Sequence, residues 1–280
     1  MTKCACPCLP VVALSALILA LCAVPAQAQY RPVQKAGPGI SSQLGENYHI
    51  EIAANFWNPD PSLVVAADSL DVAGTPVDAV LALGLTKKRF TDFKIELRPA
   101  LRHKLRLDYL PIQYTSTATL TADVIFNGQV YHASTPVASE LQWKEYRVSY
   151  EYDLISNHSG FVGLVLTGAF TDARFHLNGQ GLDELAQTQA PIPAIGGIAR
   201  VYPTTGFALT AEVAYFKLPD SLIKDVSSHY IDWDVSATWN ITNNFGAVAG
   251  YRRIDAEMNA SRVKGAAIFT GAYFGGVMRY

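Results

Sequence analysis

Cysteine disappears from this sequence after residue 22. All four, Cys4, Cys6, Cys8 and Cys22, fall within the first 28 of 280 residues. Without that stretch the chain can form neither a disulfide nor a thiolate, which excludes a disulfide-stapled scaffold, a cysteine nucleophile and a cysteine-ligated metal. Beyond it no apolar run reaches the roughly 18–20 residues that a membrane-spanning helix needs. An excess of one charge is missing too: 22 Lys and Arg against 24 Asp and Glu leave a net charge of −2, with no basic field for nucleic acid. The sequence lacks a Gly-x-Ser-x-Gly elbow, a phosphate-cradling loop, a His-Glu-x-x-His helix and EF-hand spacing. His49, His103, His132 and His158 are scattered without metal-ligand spacing, so neither a metal nor a cofactor is expected.

What is present begins with a leader. Lys3 supplies a positive start, Leu9–Val24 an apolar stretch, and Ala26-Gln27-Ala28 a small-x-small cleavage site. Residues 1–28 are therefore read as a cleaved signal peptide. A lipid-attachment reading of Cys22 competes, but Leu21 stands where a small residue normally precedes such a cysteine. Residues 29–47, with Pro32, Gly37, Pro38 and Gly39, read as a flexible lead-in.

Half the residues are hydrophobic, and from residue 48 onward they are dealt out at every second position. Ile231, Trp233, Val235, Ala237, Trp239 and Ile241 alternate with Asp232, Asp234, Ser236, Thr238 and Asn240; Phe93, Ile95 and Leu97 alternate with Lys94, Glu96 and Arg98. A strand with this pattern has one apolar and one polar face. A soluble sandwich alternates as well. Two features favour lipid: segments reach the roughly 9–11 residues that cross a bilayer, and aromatics such as Trp57, Trp143, Tyr150, Trp239 and Phe274 gather near segment ends.

Strands are expected near 48–57, 91–98, 104–114, 141–153, 161–175, 194–202, 207–218, 229–241, 245–258 and 265–280. The links at 99–103, 154–160, 203–206 and 242–244 are tight and rich in Pro, Asn, Ser and Gly, while most others are long. The expectation is an all-β fold: a transmembrane, antiparallel, up-and-down β-barrel of about ten strands over 48–280, eight or twelve satisfying the same parity, with short periplasmic turns and long extracellular loops. Strand glycines such as Gly163, Gly250 and Gly275 suit a tightly curved wall.

The leader, the alternation, the short-turn and long-loop rhythm and the final run from Ala272 to Tyr280 resemble the small single-chain outer-membrane β-barrels of Gram-negative bacteria. That resemblance implies residence in the bacterial outer membrane, contact with its lipid and lipopolysaccharide, and recognition of Ala272, Phe274, Met278 and Tyr280 by the barrel-assembly machinery. It specifies no oligomeric state.

Alternation sends Glu51, Lys94, Glu96, Arg98, Lys104, Arg106, Asp108, Glu145, Arg147, Glu151, Asp153, Arg200, Glu212, Asp232 and Asp234 into the lumen. In a narrow barrel both signs should pair, because an unpaired confined charge costs several kcal/mol. A charged, largely plugged interior with a structural or surface-binding role follows; the alternative is a narrow channel for small polar solutes or ions. In the first loop Thr75, Pro76, Asp78 and Gly84 give cap and stop signals for a short helix, and Asn127-Gly128 in the second marks a hairpin. Around Gly250-Tyr251-Arg252-Arg253 one arginine must face outward unless a bulge intervenes, so a bulge or an interface position is expected there. His229, Asp232 and Asp234 are the candidate catalytic residues, for a rim hydrolase, with Asp172, Arg174 and His176 and then Asp255 and Glu257 at the ends of two other strands that could converge with them. Omptin proteases also use rim Asp and His, but this chain lacks their Asp-x-His pairing, so no residue role is carried over and a non-enzyme is expected.

Overall fold

The computed structural model describes residues 43–68, 73–218, 227–259 and 263–280. The expected leader and residues 29–42 of the lead-in lie outside them. Fourteen strands are assigned among the described residues: β1 (Ile50–Trp57), β2 (Asp60–Ala67), β3 (Val77–Asp78), β4 (Phe90–Ala100), β5 (His103–Thr119), β6 (Val124–Phe126), β7 (Gln129–Tyr131), β8 (Pro136–Asn157), β9 (Gly160–Gly179), β10 (Leu182–Thr204), β11 (Phe207–Leu218), β12 (Ser227–Asn240), β13 (Phe245–Asn259) and β14 (Val263–Arg279).

Ten of them, β1, β4, β5 and β8 to β14, pair in that order, and β1 also pairs with β14. Every pairing is antiparallel, so the ring closes into an up-and-down barrel, and the ten segments read from the alternation are its ten strands. Both barrel termini meet at the end that carries the tight turns: His49 N donates to Tyr280 O at 2.7 Å and Tyr280 N to Ile50 O at 2.9 Å. The turn chemistry is that of short polar side chains closing on their own backbone. Asn157 Oδ1 accepts from Ser159 N (2.8 Å) and Gly160 N (3.1 Å), and Thr242 Oγ1 from Asn244 N (3.1 Å) and Phe245 N (3.0 Å).

Two expectations give way here. The first-loop helix is absent: no helix is assigned among the described residues, and Ala79–Leu83 make only a turn. Val77 and Asp78 are already committed to pairing with Val65 and Val64. Asp78 rather than Thr75 then caps, accepting from Val80 N (2.9 Å) and Leu81 N (3.0 Å), and Gly84 at φ 66° stops the chain after one turn. The Thr75 hydroxyl instead accepts from Ile125 N at 3.2 Å. Second, the long link expected over 176–193 is a ladder: β9 and β10 run on to a two-residue turn, Gln180-Gly181, both at positive φ. Of the bulge or interface position expected around Arg252-Arg253, the bulge is not formed: β12 and β13 keep register through Asp234↔Arg252 and Trp233↔Arg253. Arg252 points inward and is buried, while Arg253 faces out and pairs with Asp255 at 2.9 Å. The expected hairpin forms as β6–β7, with Asn127 (φ 49°) and Gly128 (φ 82°) at its turn.

The outward faces bear an apolar belt. On β9 it runs from Val162 through Leu164, Leu166 and Gly168 to Phe170, the height a tilted strand needs to cross hydrocarbon. Yet β8, β9 and β10 are 22, 20 and 23 residues long, so the wall continues past the belt on the side away from the tight turns. There polarity inverts. Outward positions become Lys144, Asp172 and Arg174, while inward ones become Leu141, Trp143, Phe175, Leu177, Ile192 and Phe269, all buried. Below, the barrel is apolar outside and charged inside; above, it is built like a water-soluble one. Val77, Ala79 and Leu83 from the first link and Phe126 and Tyr131 from the β6–β7 hairpin pack into this upper core.

Candidate functional site

The charged tier lines the interior at the height of the apolar belt. Lys104 on β5 donates to Glu151 on β8 (2.5 Å) and reaches Asp153 (3.3 Å), its ammonium lying 3.7 Å from the centre of the Phe161 ring. Arg106 on β5 makes a bidentate pair with Glu212 on β11 at 2.6 and 2.8 Å. Arg147 on β8 bridges Glu145 and Asp232, each at 2.5 Å, and Asp232 also takes a two-pronged contact from Arg252 at 2.8 and 3.1 Å. Tyr230 hydroxyl donates to Glu145 (3.2 Å) and Tyr273 hydroxyl to Asp234 (2.9 Å). Parallel N–H···O contacts of the Arg106–Glu212 kind add geometry to charge, which is why arginine rather than lysine suits them.

The residues before β1 take part. Arg200 reaches Glu46 at 3.1 Å, Leu44 N donates to Thr205 O at 2.8 Å, and Asn240 Nδ2 to Leu44 O at 2.6 Å. Tyr48 hydroxyl hydrogen-bonds Glu96, and Arg98 donates to Glu46 O at 2.7 Å. Residues 43–47, expected as part of a flexible lead-in, are thus tied to the turn end of the barrel. Arg279 pairs with Glu51 at 2.5 Å and donates to Asn240 at 2.6 Å. Between these groups lies a polar cavity of about 100 Å³ that Lys94, Asp108 and Asp234 also line.

Every charge expected in the lumen is therefore on an inward face, most of them paired. Asp92, Arg252 and Arg279 are buried on inward faces as well: Asp92 shares parity with Lys94, Arg252 is the ladder partner of Asp234 and Arg279 that of Glu51, but each stands near a strand end or in a doubled arginine, where alternation alone does not fix the face. Glu46 had no such signal, since it precedes the first strand. The catalytic group does not assemble: Asp232 and Asp234 point inward, whereas His229, one residue off in parity, lies on the opposite face against Tyr215, with ring centres 5.7 Å apart. Ala272, Phe274, Met278 and Tyr280 share the exposed outward face of β14 and its last residue. No group of three or more His, Cys, Asp or Glu among the described residues is arranged to hold a metal.

A second cavity, of about 90 Å³, lies in the upper core. Leu141, Trp143, Phe175, Ile192 and Tyr230 form its large walls, and Ala186, Ala190, Ala256, Gly265 and Ala267 create the space.

This is a ten-stranded antiparallel barrel of the outer-membrane type. No family model and no curated protein matches the sequence. Among solved structures the chain is similar to the outer membrane protease OmpT from Escherichia coli, at 9% identity and a TM-score of 0.55, over 85% of this chain and 98% of that one. Weaker similarity is found to Ail, the attachment invasion locus protein of Yersinia pestis (10% identity, TM-score 0.35, 81% and 99% covered), and to Neisserial surface protein A (12%, 0.34, 83% and 97%). The likeness to OmpT is one of fold.

Proposed function

We propose that this chain is an integral protein of the bacterial outer membrane whose lumen is closed at membrane level by its own ion pairs, and whose part beyond the membrane serves surface binding rather than transport or catalysis. The observation that carries this reading is the Arg106–Glu212 pair. β5 and β11 are four places apart in a ring of ten, so a bidentate contact between them runs across the lumen rather than along the wall. Arg147 to Asp232, from β8 to β12, does the same one step round. Below them the Glu46–Arg200 contact spans the turn-end mouth. Outward Lys144, Lys217 and Arg253, just above the belt, suit the phosphates of lipopolysaccharide, and the outward apolar residues of β14 suit recognition by the assembly machinery.

Recording from the refolded mature chain in planar bilayers tests the closed lumen. The unaltered chain is expected to give no conductance steps, and Arg106→Ala with Glu212→Ala to open a small one. Discrete steps from the unaltered chain would replace this reading with that of a narrow ion channel. A rim hydrolase has less support, because His229 and the two aspartates occupy opposite faces.

A further inference from the structure

We propose that residues 43–48 are a strap that covers the turn-end mouth of the barrel and, on lifting, opens the polar cavity to periplasmic water and small cations. This rests on the closed-lumen reading and gives that lumen a regulated way in from one side.

The strap belongs to no strand, and it takes one hold on each tight turn. Arg98, tied to Leu101 O in the first turn, donates to Glu46 O at 2.7 Å; Gln43 Nε2 donates to His158 O in the second at 3.1 Å. Leu44 N donates to Thr205 O in the third at 2.8 Å, and Gly45 N to Asn243 Oδ1 in the fourth at 3.3 Å. Glu46 adds its ion pair to Arg200, and Tyr48 has the guanidinium groups of Arg98 and Arg279 each 5.5 Å from its ring. The barrel does not depend on these holds. β1 pairs with β14 from Glu51↔Arg279 onward, and Asn157 and Thr242 close their own turns. A segment held by scattered single bonds opens at lower free energy than the ladders beside it.

The cavity beneath needs a supply of water. Among the described residues Lys94 and Asp108 form neither a hydrogen bond nor an ion pair, and Asp234 Oδ2 and Asn55 Oδ1 have no partner, although all four residues line it. Enclosed polar groups in that state are costly unless hydrated. A volume of about 100 Å³ holds several waters at the roughly 10–15 Å³ each requires. Six carboxylates and four cations line the space, so a cation enters more readily than an anion. Upward the way is dry, closed by Trp57, Leu110, Ile112 and Phe269 of the upper core. The turn end is the polar side, and the strap lies across it. Gly45 fits the strap to its seat: its φ of 79° lies in the left-handed region, and an added Cβ would stand 2.7 Å from Arg279 Nη1 and 2.8 Å from Asn240 Cγ.

Thr238, 3% exposed on the inward face of β12, lines the cavity nearer the turn than Asp234, the ladder partner of Glu212. Thr238→Cys gives the mature chain a single cysteine, which is treated in nanodiscs with the membrane-impermeant cation 2-(trimethylammonium)ethyl methanethiosulfonate and followed by mass. Modification is expected to be slow but complete with the strap unaltered. It should run at least tenfold faster with Gly45→Val or Glu46→Ala, both checked for the heat-dependent gel shift of a folded barrel. Equally fast modification in all three means that the strap does not cover the mouth; equally slow modification in the folded variants means that something else does; none at all with the strap intact means a fixed plug. Each of these overturns the proposal. The closed tier is judged apart from it: fast modification of the intact chain without conductance sinks the strap alone, whereas conductance steps with modification that still depends on the strap sink the closed tier alone.

Discussion

Arg147 serves two carboxylates at once, and the consequences of removing it follow from what each keeps. Asp232 retains Arg252, but Glu145, wholly buried, loses its one cationic partner among the described residues and is left there with the Tyr230 hydroxyl and a longer contact from Thr171. Stranding one member of a buried pair costs about 3–5 kcal/mol. Arg147→Met is therefore expected to destabilise by that amount in urea titrations of the reconstituted barrel, and adding Glu145→Gln to recover most of it; equal losses in the single and double variants would contradict the pairing. A different carboxylate acts outside the membrane. Asp123 accepts from Ala133 N at 2.7 Å and contacts the His132 ring, and chiefly the backbone N–H, with the ring next, holds its pKa below the ordinary carboxylate value. A lowered folded pKa means that the contact is intact above the ordinary range and is lost as pH falls through the folded value. Amide exchange at Ala133, corrected for its intrinsic rate, should accelerate on acidification below the ordinary range, and Asp123→Asn should abolish the pH step.

Strands show where membrane gives way to water. On the outward face of β9, Leu166 lies within the apolar belt and Asp172 above it. Arginine on a lipid face near the bilayer midplane costs about 2–4 kcal/mol, falling to about 0–1 near the interface. Leu166→Arg is expected to lose that larger amount in folding into bilayers, and Asp172→Arg little beyond its contacts with Arg174 and Gln187; equal costs would put the boundary elsewhere. Inside the wall, Gly250 faces Tyr273, whose Cζ would lie 2.6 Å from an added Cβ. Gly250→Val should therefore displace that ring from Asp234, overpacking of this kind costing about 1–3 kcal/mol, read as a lower urea midpoint. The ten strands were legible because a period of two, held over a bilayer's width, leaves few alternatives. The upper continuation of β9 and β10 was not, since Pro191 and Pro193 argue against a central strand and only the finished ring reveals that, among the described residues, they pair on the β9 side alone. Nor was the first link: cap and stop signals at Thr75 and Gly84 describe a helix well enough, but they contain no trace of the pairing of Val77 with Val65 that uses up its first turn. Parity put Arg106 and Glu212 on inward faces and could not say which charges meet, because the two are brought together by closure.

At the scale of the molecule, one barrel wall works in two solvents, and its tryptophans divide between them. Trp239 is 63% exposed on the outward face and Trp233 is outward too, against Tyr251, whereas Trp57 is 1% exposed inside, its indole N–H given to Gly271 O at 3.0 Å. In water such an outward stripe is a liability, since apolar patches of that size drive association; in a bilayer it is the anchoring surface, with aromatic rings near the interfaces. The inward charges make the complementary argument, because charges that pair with one another inside the barrel need no lipid-facing compensation and leave the outer face free to be apolar at the height of the belt. Single-tryptophan variants reconstituted in bilayers of brominated phosphatidylcholine decide the matter, as bromine quenches only on near contact. Trp239 and Trp233 are expected to lose most of their emission, with the depth of quenching along the chain placing Trp239 toward the turn end and Trp233 toward the opposite interface, while Trp57 keeps its emission. Equal quenching at Trp57 would mean that lipid reaches the interior and that the ring is not closed. No quenching at Trp239 would mean that the stripe faces something other than lipid, and the inversion of polarity between the two tiers would then need another cause.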